Sequence, residues 1–216
     1  MMKSKSHLLN FAITTAKKAG KLILKESTKK LHIIEKGKND LVTNVDKASE
    51  KLIIGEIKKA HPTHAILAEE SAAKSGKNSI KNSLKDAPYI WLIDPLDGTT
   101  NFAHGLYQYC VSIALLKTIA SKNSRHLEGD IILGVVFAPA LNQLFYAEKN
   151  QGAYFQNGKN PAKKIHTSKI PKVAQSLLVT GFPPTNRELS LKYFTKILKY
   201  YIPINISSYY SLFLCL

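Results

Sequence analysis

The chain has 216 residues, 44% of them hydrophobic and 21% charged. This is one large domain's worth of chain, or two small ones, with apolar content for a sizeable core, which excludes a disordered tail and a disulfide-stapled miniprotein. Lys and Arg number 31 against 15 Asp and Glu, for a net charge of +16, and the excess divides between residues 1–60 and 151–216 around a neutral middle.

All the basic residues except Arg125 and Arg187 are lysines, point charges without the fork that reads phosphates selectively. No cluster interleaves them with stacking aromatics, so the expectation is a solvated lysine-rich surface, with a nucleic-acid partner the less favoured alternative. Cys110 and Cys215 are the only cysteines, too few for a disulfide framework and without metal-ligand spacing, as befits a reducing cytosol. There is no apolar run of signal-peptide length at the N-terminus, and none approaching the ~20 residues of a membrane span. A cytoplasmic protein with no membrane partner is expected.

Leu8, Leu9, Ala12, Ile13, Ala16, Ala19, Gly20, Ile23 and Leu24 recur at three- and four-residue spacing and predict an amphipathic helix. A second helix is predicted from near Asp46, burying Ala48, Leu52, Ile53, Ile57 and Ala60 and ending before Pro62. From Ala65 the texture changes to short apolar runs: Ala65–Ala68, Tyr89–Ile93, Tyr109–Leu116, Ile131–Phe137, Leu144–Ala147, Ala153–Phe155 and Leu177–Thr180. Asn157-Gly158 suits a tight turn. Their close succession predicts an α+β fold, the N-terminal helix pair packed on one face of a mainly antiparallel sheet. Residues 72–87 read as a surface loop and Leu189–Tyr201 as a helix, followed by an uncharged apolar tail.

Carboxylates are scarce, so their placement carries information. Three short tracts hold six of them: Asp40-Leu-Val-Thr-Asn-Val-Asp46, Glu69-Glu70-Ser71, and Trp91-Leu-Ile-Asp-Pro-Leu-Asp-Gly-Thr-Thr-Asn-Phe102. In the third, Asp94 and Asp97 leave the end of a strand and can face one cation or a pair. The Leu96 carbonyl between them is a further hard oxygen donor, and Gly98, Thr99 and Thr100 offer N–H groups to a phosphate at a helix N-terminus. The competing reading is a β-turn at Asp97-Gly98 with Asp94 as a cap. Glu69 and Glu70 end a strand, so at most one of them points at the centre that Asp94 faces; a solvated strand end competes there. Thr43 and Asp46 have capping-box spacing, which would make Asp46 a cap alone.

Taken together and in this order, the three tracts resemble those of the inositol monophosphatase family, the Mg²⁺-dependent sugar-phosphate phosphatases. The likeness runs over about residues 7–185 and includes Gly134–Pro139, Gly152-Ala153-Tyr154 and Thr180-Gly181-Phe182-Pro183. It implies a layered α-β-α-β-α fold with a metal- and phosphate-binding lobe over residues 1–180. It implies Mg²⁺ held by Glu69, Asp94 and the Leu96 carbonyl, with Asp94 and Asp97 contributing to a second ion. Asp46 and Thr99 would orient and deprotonate the attacking water, with Glu69 beside it. The phosphate would lie against Gly98 and Thr99, near Glu69, Asp97 and Lys36, with Lys38 competing for the lysine's role. The reaction implied is hydrolysis of an inositol monophosphate by a metal-activated water, and a homodimer is one implied assembly.

The family's second lobe carries a G-S-A-A-type loop and a W-D-x-A-A-G stretch whose Asp is a further ligand of the second metal. This chain has a single tryptophan, Trp91, and no Trp-Asp pair. The expectation is a largely missing second lobe: a remnant over residues 181–216 with an aberrant tail, from a reading frame truncated or shifted near Tyr200. Bisphosphate nucleotidases, fructose-1,6-bisphosphatases and histidinol-phosphate phosphatases share the metal tracts. A transcription- or RNA-associated relative, with nucleic acid or RNA polymerase as partner, and an inactive remnant are the alternatives from other classes.

Overall fold

Helix α1 (His7–Glu26) begins where the Ser6 side chain accepts the Leu9 N–H at 3.1 Å, and it buries Leu9, Ala12, Ile13, Ala16, Ala19, Gly20 and Ile23, the face that its periodicity predicts. The computed structural model describes residues 5–29, 31–37, 40–74, 84, 87–119, 129–172, 175, 178–180, 188, 191, 195 and 204–206. After α1 comes a feature that the apolar pattern does not announce: an antiparallel hairpin of β1 (Ile33–Gly37) and β2 (Asp40–Thr43).

Helix α2 (Asn44–Ala60) starts two residues before the predicted position and buries a different face. Val45, Asp46, Ser49, Glu50, Ile53 and Ile57 point inward, whereas Ala60 is exposed and Ala48 and Leu52 are half-buried. Hydrophobic periodicity could not find this face, because in its first two turns the inward residues are mostly polar. Asp46, Ser49 and Glu50 face a site, while Val45 and the predicted Ile53 and Ile57 face the apolar core.

The strands β3 (Ala65–Ala68), β4 (Tyr89–Asp97), β5 (Cys110–Thr118), β6 (Gly129–Ala138), β7 (Gln143–Glu148), β8 (Gly152–Asn157) and β9 (Lys163–Ile165) form one sheet in chain order. Every neighbouring pair is antiparallel except β3 and β4, which run parallel. Between them lies α3 (Glu69–Lys74), so Glu69 and Glu70 open a helix instead of ending a strand, and residues 72–74 of the expected loop are helical. A short helix α4 (Thr99–Ala103) follows β4, and β10 (Leu178–Thr180) pairs in parallel with β11 (Ile204–Ile206). Gly158, at φ 60°, turns the chain after β8.

Helices α1 and α2 cover one sheet face, and the main core lies between: Ala12, Ala16, Ile23, Ile53 and Ile57 against Trp91, Ile93, Val111, Ile113, Leu115, Leu133 and Val135. Trp91 is fully buried, its indole N–H donating to His64 Nδ1 at 3.1 Å. On the other face, Cys110, Val136 and Ala138 form one small cluster and Leu84, Ile90 and Leu116 another. No helix among the described residues is long and apolar enough to cross a membrane. Most of the rest of the 72–87 loop, most of the Leu189–Tyr201 helix, nearly all of the 181–216 segment and Lys38 lie outside the described residues.

Two glycines test this packing in opposite directions. A Cβ on Gly20 would stand 2.6 Å from the Phe137 ring and 3.0 Å from Pro139, whereas one on Gly55, mid-way along α2, would meet nothing within 4 Å. Gly20→Val should destabilise the protein by about 2 kcal/mol by overpacking. Gly55→Ala should stabilise it by roughly 0.5–1 kcal/mol through helix propensity. Urea unfolding midpoints measure both.

Candidate active site

The site is built at the C-terminal ends of the two parallel strands, where an open sheet of this kind offers a crevice. Ala68, the last residue of β3, is level with Ile93 of β4, so Glu69 and Asp94 leave their strands side by side. Asp94 and Asp97 are three residues apart, and in a regular strand that spacing sends side chains to opposite faces. Here β4 carries a bulge. Asp94 pairs with Ser112 and Asp97 with Cys110, three steps on β4 against two on β5. The extra residue puts both carboxylates on the face shared by Ser112 and Cys110. Pro95, which has no N–H for a ladder, sits within the irregularity.

Both carboxyls are held above the ordinary carboxylate range. Asp94 is pushed up to about 8, first by burial and then by the negative charges of Asp97, Glu69 and Asp46, partly offset by the Leu96 N–H it accepts at 3.2 Å. Asp97 is pushed up to about 6 by burial, against the opposing hydrogen bonds from Cys110 and the Gly98 N–H. The Cys110 thiol lies 3.8 Å from Asp97 Oδ2, and burial ahead of the neighbouring aspartates raises it well above the usual thiol range. It is a protonated donor to Asp97.

Asp46 is fully buried and plays two parts at once. Its Oδ2 accepts from the Thr43 N–H at 2.9 Å and the Thr43 hydroxyl at 2.5 Å, while that hydroxyl accepts from the Val45 N–H at 3.1 Å, so the predicted capping box is present. Its Oδ1 accepts from the Thr99 hydroxyl at 2.8 Å. The cap and the Asp46–Thr99 pair therefore use different oxygens of one carboxylate, and the two readings of Asp46 are compatible. Thr99 Oγ1 is also 3.0 Å from the Leu96 carbonyl. A hydroxyl has one proton, and the charged acceptor with the shorter contact takes it.

Gly98 stands at φ 88° before α4, and a Cβ there would lie 2.8 Å from the Gln108 carbonyl oxygen. Both facts require glycine. Its N–H donates to the Asp97 carboxylate. Glu69 is exposed while its neighbour Glu70 is buried, a difference set by helix α3 and not by the strand alternation expected there. Lys36 lies on β1, with its side chain outside what the structure describes.

Three residues of the site escaped sequence reasoning. Glu50, buried on α2, accepts the Glu70 N–H at 2.9 Å, the Ser71 N–H at 3.3 Å and the Ser71 hydroxyl at 2.5 Å. Ser49 donates to the Pro95 carbonyl at 2.8 Å and ties α2 to the bulge. Cys110 completes the group. The available signal was helical spacing: Ser49 and Glu50 are three and four residues after Asp46, on its face.

Among the described residues, no group of three or more histidine, cysteine or carboxylate side chains is gathered closely enough to hold a metal ion unaided. The donors of Glu69, Asp94, Asp97 and the Leu96 carbonyl are hard oxygens, the type that suits Mg²⁺, an ion that keeps several waters and needs few protein ligands. Asp94 is raised by burial first and then by the charge of Asp97, and a cation would favour its ionised form. In the chemistry of their donors the residues fit such an ion.

The sequence pattern described as "Inositol monophosphatase family" matches residues 4–210. The Nus factor SuhB of Pasteurella multocida is 40% identical over 178 residues, covering 82% of this chain and 58% of that protein. Inositol monophosphatase 1 of Solanum lycopersicum is 37% identical over 193 residues, covering 89% and 63%. The chain thus spans about three-fifths of the length of these relatives. Among solved structures, the extragenic suppressor protein suhB of Bartonella henselae superposes with a TM-score of 0.77 at 28% identity, covering 96% of this chain and 72% of that one.

A carboxyl whose folded-state pKa is raised stabilises the fold least where it must ionise. For Asp94 and Asp97 the loss begins above their unfolded value near 3.8 and deepens as pH rises towards 8. In EDTA, the melting temperature should fall between pH 5 and 8. Asp94→Asn should flatten that fall, raising the midpoint at pH 7.5 by roughly 5–10 °C. Mg²⁺ should stabilise the unsubstituted protein, and Asp94→Asn much less. Thermal melts across the pH range with and without the ion provide the check.

Proposed function

The chain belongs to the inositol monophosphatase family, and from that premise we propose that it is a Mg²⁺-dependent phosphomonoesterase acting on an inositol monophosphate or a closely related sugar phosphate. The single observation that supports the proposal is the placement of Asp94 at the strand end beside the bulge, on the face it shares with Asp97, with the negative charges of Asp97, Glu69 and Asp46 all acting on it. A bound Mg²⁺ would neutralise phosphoryl charge and acidify a water.

The protein's own residues do the rest. Glu69, Asp94, Asp97 and the Leu96 carbonyl would hold the ion. Thr99 and Asp46 form a proton relay: a water donating to Thr99 Oγ1 sends its proton on through the hydroxyl, which already donates to Asp46 Oδ1. Asp46 Oδ2 is held by Thr43, so the carboxylate cannot swing away, and the relay keeps its direction. The bend at Gly98 brings the backbone near the phosphate position, where a side chain would collide with the Gln108 carbonyl. No side-chain nucleophile is needed, and the protonated Cys110 is a poor one.

Mg²⁺-dependent phosphate release from myo-inositol 1-phosphate tests the proposal. Asp94→Asn should abolish it, and Thr99→Ala should lower turnover by about 10²-fold or more with little change in substrate KM. Gly98→Ala should impair it through backbone strain. Release that persists in EDTA, or survives Asp94→Asn, would refute the proposal. A panel of nucleotide bisphosphates, fructose 1,6-bisphosphate and histidinol phosphate separates the related substrate classes.

A second reading rests on the basic charge and on the relatives named Nus factor SuhB: association with the transcription machinery, with the lysine-rich flanks against RNA. It predicts RNA binding that weakens linearly in a plot of log affinity against log salt. Filter binding between 50 and 300 mM salt would show it, and a flat response would exclude it.

A further inference from the structure

We propose that Glu50 is a positioning residue for the metal centre, fixing the start of α3 so that Glu69 is presented to the cation at a set distance from Asp46. The inference rests on the phosphatase reading above and extends it to a residue outside the metal tracts.

Helix α3 spans only Glu69–Lys74, too short to hold its own geometry, since a single helical turn is unfavourable by itself. One carboxylate on another helix takes up its first donors. Glu50 Oε2 accepts the Glu70 and Ser71 N–H groups at 2.9 and 3.3 Å, and Oε1 accepts the Ser71 hydroxyl at 2.5 Å. These are donors of a helix N-terminus, met from α2. The bond spans 20 residues of sequence, so it is a tertiary tie. A carboxylate with two hydrogen-bonded oxygens defines position and rotation together, and at 6% exposure water does not substitute easily for it.

The same helix carries the proposed base. Glu50 lies four residues after Asp46, one turn along the inward face of α2. Ser49 between them donates to the Pro95 carbonyl inside the β4 bulge. One rigid helix thus sets three things: the Asp46–Thr99 pair, the bulge that aims Asp94 and Asp97, and, through Glu50, the residue that delivers Glu69. Removing the Glu50 oxygens should leave α2 and the relay in place and release Glu69 alone.

The prediction concerns cation affinity and depends on geometry, not charge. Glu50→Ala withdraws all the acceptors. Glu50→Asp keeps the charge and pulls the oxygens back by a methylene. Glu50→Gln keeps one oxygen for the N–H groups, and its amide can face the Ser71 hydroxyl as an acceptor. Isothermal titration of Mn²⁺ and of Mg²⁺ into the metal-free full chain, well below each variant's melting temperature, should show affinity falling about 10-fold or more in Glu50→Ala and Glu50→Asp and less than about 3-fold in Glu50→Gln, the range expected of residues behind metal ligands. Phosphate release should then need correspondingly more Mg²⁺ for half-maximal rate while recovering most of its kcat at saturation. A purely structural role would lower melting temperatures without this ordering. Wild-type affinity in Glu50→Asp overturns the inference alone. Failure of the unsubstituted chain to bind either ion overturns the metal reading, and the inference with it. Should Glu50→Ala not fold, the contrast between Glu50→Asp and Glu50→Gln still decides.

Discussion

One extra residue in β4 determines what the site can be. Strand geometry alternates side chains, and a pair of aspartates three apart belongs on opposite faces. The bulge between Asp94 and Asp97 cancels that alternation against β5 and brings two half-buried carboxylates to one face. Asp94 is pushed up to about 8, by burial first and by the charge of Asp97 second. The fold tolerates it because the same strand is anchored elsewhere by large apolar contacts, Trp91 and Ile93 among them. A corner that resists ionisation is one where a divalent cation would have a large effect.

Helix α2 is the counterpart of the bulge. Its first turns present Asp46, Ser49 and Glu50 inward, polar groups that would be a fault in a core helix and are here the means of reaching three other elements. Each has its hydrogen bonds: Asp46 to Thr43 and Thr99, Ser49 to Pro95, Glu50 to Glu70 and Ser71. A satisfied buried network specifies geometry as well as stability. The later turns, with Ile53 and Ile57, pack on the sheet and give the polar half a fixed platform.

The sequence showed α1, the seven main apolar runs and the antiparallel order because each depends on local periodicity, and Thr43 with Asp46 showed the cap because a capping box is local too. The buried face of α2 was misread because hydrophobicity cannot see a face that is polar by purpose. The hairpin of β1 and β2 was missed for want of an apolar alternation long enough to register. Glu69 and Glu70 were placed at a strand end, where a helix begins, since the N–H groups of Glu70 and Ser71 find their acceptor in Glu50, about 20 residues back in the chain and outside any local pattern. The motif spacing located Asp94 and Asp97 but could not say why spacing by three would converge; the bulge is a property of two strands and not of one.

Lysines and site carboxylates have different partners among the described residues. The described ion pairs, Lys18–Glu56, Lys29–Glu26 and Lys149–Asp130, lie at the surface with separations of 2.6–2.8 Å, where each contributes little. Asp46, Glu50, Asp94 and Asp97 accept from neutral donors: the hydroxyls of Thr43, Thr99 and Ser71, backbone amides, and the thiol of Cys110. Neutral donors orient a carboxylate without cancelling its charge. A lysine in their place would cancel it, pull the pKa of Asp94 down and compete with a cation for the same oxygens. Carboxylates oriented by uncharged donors keep their charge, and a strongly basic chain carries a locally acidic corner at Asp94 and Asp97 in this way.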